Sequence, residues 1–80
     1  MSSAISHAVP LELLAEGERG VVIEVEGRSN LIVRLEEMGL HAGARIRMIQ
    51  AGSPCILEIH DQRYSLRFDD SVTVLVEVGR

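Results

Sequence analysis

Lysine is missing from this sequence: all eight basic residues are arginine, set against twelve acids for a formal net charge of −4. Tryptophan is missing too, and Tyr64 and Phe68 are its only aromatics. Nucleic-acid binders draw most of their affinity from phosphate neutralisation, and single-strand binders add stacking on aromatic faces. Neither resource is present, so no nucleic-acid partner is expected. No apolar run approaches the roughly 18 residues of a membrane-spanning helix, which excludes direct membrane insertion by a helix. Met1 to Val9 carry neither a basic n-region nor an apolar h-region, so no secretory signal is read there. The lone cysteine, Cys55, cannot staple the fold and suits a reducing compartment. The expected location is cytoplasmic.

Catalytic signatures are also lacking. There is no G-x-S-x-G, P-loop or HExxH, and the carboxylates are scattered over strand faces and turns. Cys55 shares a strand face with Leu57 and Ile59 and reads as a buried, inert thiol, because nucleophilic cysteines need an accessible, electropositive setting. An enzyme is not expected.

What is present is the pattern of a small folded domain. The chain has 80 residues, 46% hydrophobic and 25% charged, well outside the disordered class. Residues 1–9 read as a flexible N-terminal tail and residues 10–80 as the domain. Pro10 suits the first turn of a short helix that buries Leu11, Leu13 and Leu14 before Gly17. In "GVVIEVEG", Val21, Ile23 and Val25 alternate with Val22, Glu24 and Glu26, the period of a half-buried strand. Strand patterns return in "RIRMIQA", with Ile46 and Met48 on one face, and in "CILEIH". Asp61-Gln62 reads as a two-residue hairpin loop into "RYSLR". "VTVLVEV" closes with Val72, Val74, Val76 and Val78 on one face. About five strands predict a mainly β fold, a small closed or partly closed antiparallel barrel with one or two short helices.

The most informative stretch is "NLIVRLEEMGLHAG", from Asn30 to Gly43. At about 100° per residue, Leu31, Ile32, Leu35 and Met38 share one helix face, predicting a helix over 30–38 that plugs an end of the barrel. Ser29 or Asn30 is placed to cap its start. Gly39 suits the left-handed position beyond its end, and Leu40 folds back as the accompanying apolar residue.

Two surfaces are candidate sites. Glu58 and His60 lie two apart on a strand and share a face, with Asp61 in the turn beyond. Such a mixed N and O set would hold Fe(II) or another divalent transition metal weakly, with water completing the shell. The competing reading is ordinary solvated surface. The second candidate is the outer side of the helix and its stop: Val33, Glu36, Glu37, Leu40 and His41, a surface for a protein partner. Self-association through an exposed strand edge, giving a homo-oligomer, is a third expectation.

"RLEEMGLHAGARIRMIQ" resembles the signature of FeoA proteins, small companions of the bacterial ferrous-iron transporter FeoB. Arg34-Leu35, Met38-Gly39-Leu40, Gly43 and Ile46 stand at its positions. "LELLAEGERGVVIEVEG" and "SLRFDDSVTVLVEV" are similar to the family's opening and close, so the likeness spans about residues 10 to 78. The turn "HDQRY" lacks the glycine often found there. The resemblance implies an SH3-like β-barrel and a role in ferrous-iron uptake, with a FeoB-like membrane GTPase transporter as the partner bound and modulated. It also implies an alternative, a metal-binding carrier or sensor related to the C-terminal domain of metal-dependent repressors. It supplies no catalytic residues.

Overall fold

A computed structural model describes residues 6–68 and 72–79. Strands β1 (Ser6–Pro10), β2 (Arg19–Gly27), β3 (Arg45–Gln50), β4 (Cys55–Ile59), β5 (Gln62–Leu66) and β6 (Val72–Gly79) form one antiparallel sheet in the order β1-β6-β2-β3-β4-β5. A 3-10 helix, Leu11–Leu13, follows β1, and a single α-helix, α1 (Ser29–Glu37), joins β2 to β3. The predicted mainly β, SH3-like barrel architecture is therefore met, with one strand more than the periodicity suggested.

The extra strand corrects the expected tail. From Ser6 onward the chain pairs with β6, in the register Ser6↔Gly79 to Pro10↔Leu75. "SHAVP" has no apolar alternation of its own, so a partner strand rather than local pattern makes it a strand. Pro10 then leads into Leu11–Leu13, where Leu11 and Leu14 are buried but Leu13 is 69% exposed, against the expectation that it turns inward. The next turn is tied to β3 by main-chain bonds: Gly17 N–H donates to Met48 O (2.6 Å) and Met48 N–H to Glu18 O (2.9 Å).

β2 does not keep the regular alternation of its sequence, and the reason is a bulge. Val22 pairs with Val76 and Glu24 with Leu75, so β2 carries one extra residue at Ile23. A one-residue insertion flips every later side chain to the opposite face. Before the bulge Val22 points into the core, leaving Val21 37% exposed; after it Val25 packs inward while Ile23 itself is 43% exposed. Gly20 shares the inward face, where a Cβ would run into the Val76 side chain. β3 has a similar step at Ile49, between Met48↔Leu57 and Gln50↔Ile56.

The remaining alternations hold. Ile46 and Met48 of β3, Cys55, Leu57 and Ile59 of β4, and Val74, Val76 and Val78 of β6 are all buried. Together with Leu35 and Leu40 they make a wholly apolar interior among the described residues. α1 sits where the sheet leaves a gap: Leu31 and Leu35 face Leu66, Phe68 and Val72, around a small cavity of about 80 Å³. The helix thus closes the space between the end of β5 and the start of β6.

Candidate functional site

The helix stop is built from main-chain bonds that its sequence dictates. The Leu40 N–H donates to Leu35 O at 2.9 Å and the Gly39 N–H to Glu36 O at 2.9 Å. This nested 6→1 and 5→2 pair is the Schellman arrangement, and it requires a left-handed residue at its centre. Gly39, at φ +94°, supplies it. The start differs from expectation. Arg28, extended at φ −69° and ψ 142°, takes the cap position and makes no side-chain cap bond. Its carbonyl accepts from the Leu31 and Ile32 N–H groups, both at 3.0 Å.

This stop divides the candidate partner surface. Leu35 is buried and Leu40 fully so, because the Schellman turn swings residue 40 back against the helix. Leu40 is therefore a core residue, and its expected place on the docking surface is corrected. Val33, at 51% exposure, remains on the outer side, with Glu36, Glu37 and His41 also exposed. The His41 Nδ1 lies 3.0 Å from Ala42 O. Beyond it, Gly43 N–H donates to Val22 O (2.7 Å) and Val22 N–H to Ala44 O (2.8 Å), locking the loop onto β2.

The β4–β5 turn is shifted by one residue from the expected Asp61-Gln62. Its loop residues are His60 and Asp61, at φ 52° and 65°. Two positive φ values mark the type I′ geometry that matches strand twist, which usually takes Asn or Gly. The His60 ring rests against the helix stop: a Cβ on Gly39 would lie 3.1 Å from His60 Cδ2 and 3.3 Å from Ile59 Cγ2.

That placement bears on the proposed metal ligands. Glu58 stands directly across from Arg47, and its Oε1 lies 3.9 Å from Arg47 Nη1. His60 and Asp61 leave the strand in the turn. Among the described residues no group of three or more His, Cys, Asp or Glu side chains is arranged to hold a metal ion, so Glu58, His60 and Asp61 are not gathered as a centre.

Sequence reasoning missed a different constellation. Arg19 of β2 pairs directly with Arg47 of β3, and Val21 with Arg45. All line one open groove of about 1140 Å³ that reaches His60 and Asp61 on one side and Glu77 and Gly79 on the other. Arg19 and Arg45 are exposed and form no ion pair among the described residues. Residues so far apart in the chain give no local signal; only strand register brings them together. The outward alternation of Arg45 and Arg47 against Ile46 and Met48 was the one visible clue.

Among the described residues two titratable groups depart from their ordinary range. Burial pushes the Cys55 thiol up, in keeping with the inert reading. On the outer face of β2 the Glu24 carboxyl is raised, chiefly by its hydrogen bond with Glu26 and then by that residue's charge. Neither group lines the groove.

The described residues form a mainly β, SH3-like barrel with one α-helix locked by a glycine stop. The model of the FeoA domain matches residues 9–78, and the chain belongs to the FeoA family. It is similar to a solved structure described as the iron uptake regulatory protein (FeoA), with TM-score 0.81 and 26% identity over 92% of this chain and 100% of that one. No curated protein matches it. No helix among the described residues is long and apolar enough to cross a membrane.

Proposed function

We propose that this chain is a small accessory protein of bacterial ferrous-iron uptake, which docks on the cytosolic GTPase region of a FeoB-like membrane transporter and modulates it. Iron in this reading is the transporter's cargo. Family membership and the likeness to a protein described as an iron uptake regulator support the process. The observation that carries the docking surface is Val33, 51% exposed on a helix that its inner face and Schellman stop hold rigid. A fixed apolar side chain, with Glu36 and Glu37 one turn further along the helix, contributes to binding without an added ordering cost. Glu36, Glu37 and His41 surround it; Leu40 acts from behind by fixing the turn. Modulation then requires unequal affinity for the transporter's conformational states.

The test is calorimetric titration of the cognate FeoB cytosolic domain with the wild type and with Val33→Asp. A binding hot spot predicts a loss of about tenfold or more in affinity with an unchanged melting temperature. Equal affinity for the two would remove the helix face from the docking surface. No binding of the wild type would remove the transporter reading.

A further inference from the structure

We infer that the groove across β2 and β3 is a docking site for an acidic, extended protein segment, whose carboxylates are taken by Arg19, Arg45 and Arg47. This lies beyond the helix face and stands independently of the transporter reading.

Four observations converge on it. First, Arg19 and Arg47 are direct cross-strand partners in a protein of net charge −4. Like charges set opposite each other destabilise a sheet, so an arrangement that keeps them together points to an anion between them. Second, the only counter-charge bonded to this row among the described residues is Glu58, which reaches Arg47 alone at 3.9 Å; Arg19 and Arg45 remain open to a ligand. Third, the type I′ turn of the β4–β5 hairpin places His60 and Asp61 at the groove's edge. The turn carries the His60 side chain to the groove, backed by Gly39. Fourth, Val21 sits between Glu77 and Arg45 and is 37% exposed, giving an apolar contact within the charged row.

The shape and charge pattern select the ligand class. The groove is open and crosses β6, β2, β3 and β4, which suits a length of chain better than an enclosed small molecule. Glu77 on one rim and Glu58 and Asp61 on the other would repel a continuous phosphate backbone. No aromatic side chain lines the groove to stack a base. A segment whose two or three carboxylates fall over the central β2–β3 row, with uncharged residues over Glu77 and over Glu58 and Asp61, meets the arginines. Guanidinium forks fit carboxylates with paired, charge-assisted hydrogen bonds.

The probe is a synthetic decapeptide of alternating Glu and Val, titrated to millimolar concentration into the ¹⁵N-labelled chain, with inorganic phosphate and a single-stranded oligonucleotide as parallel arms. Expected are saturable amide shifts at residues 19–21, 45–47 and 58–61, weakening with added salt. Arg19→Gln/Arg45→Gln is expected to weaken binding by at least about tenfold. It should also keep or raise the melting temperature, because it relieves the Arg19–Arg47 repulsion; a merely structural role for these arginines would lower it. Absent shifts, shifts confined to the helix, or undiminished binding by the double variant would overturn the assignment. Saturation by phosphate or oligonucleotide at lower concentration than by peptide would overturn the ligand class.

Discussion

Two regions meet at the ring of His60 and are built on opposite terms. On one side lies the helix stop, where a Cβ on Gly39 would press on the ring and Leu35 and Leu40 are buried. Its polar main-chain groups bond to one another and its side chains are apolar and enclosed. On the other lies the arginine groove, where Arg19 and Arg45 are exposed and unpaired among the described residues, and Arg19 faces Arg47. The N–H groups of Gly39 and Leu40 are bonded within the first region. The second holds exposed charges, of which Arg47 alone has an ion-pair partner among the described residues, Glu58. The difference separates residues that hold the fold from residues available to bind.

That contrast is most easily broken at Leu40. If it belongs to the fold, Leu40→Ala should cost about 2–5 kcal/mol in a denaturant titration, the range for emptying a well-packed core site. A cost near zero would return Leu40 to the surface and dissolve the distinction. Gly39→Ala should cost less, about 1–3 kcal/mol, from holding a side-chain-bearing residue at φ +94°. The new Cβ would also press on Ile59 and the His60 ring. Amide shifts of Gly39→Ala should therefore spread into the β4–β5 turn as well as the helix. The smallest effect is expected on the groove side. Arg47→Gln removes a partly exposed pair, with side chains 43% and 28% exposed at 3.9 Å, and also relieves Arg19. Stability should change by no more than about 0.5 kcal/mol in thermal melts. A loss of several kcal/mol would show that the groove holds the fold after all.

The two regions were unequally legible in the sequence. The stop was readable because its parts are adjacent: the apolar face of Leu31, Leu35 and Met38, the glycine after it, and the leucine that folds back. Even so, the linear pattern could not decide between Leu40 as clasp and Leu40 as contact surface, and the Leu40–Leu35 hydrogen bond decides it. The faces of β2 were not legible for a physical reason, since a bulge at Ile23 breaks the period-two alternation of its sequence. β1 was invisible because its pairing with β6 is made entirely by distant residues. The turn slipped by one residue because His60 and Asp61 occupy a conformation that sequence rules reserve for asparagine and glycine. The candidate sites divide in the same way. Val33, Glu36, Glu37 and His41 lie within a single helical pattern and its stop and remain exposed together. Arg19, Arg45 and Arg47 become neighbours only through the β2–β3 register.

The central claim is that docking uses exposed faces set on a rigid scaffold, with the stop itself withheld from the partner. Amide shift mapping of the ¹⁵N-labelled chain, titrated with the FeoB cytosolic domain, tests it in a single experiment. The account predicts perturbations centred on Val33, Glu36, Glu37 and His41, with the buried strand positions of β3 and β4 unchanged. Perturbations confined to the sheet edges β1 and β5, with the helix silent, would contradict it.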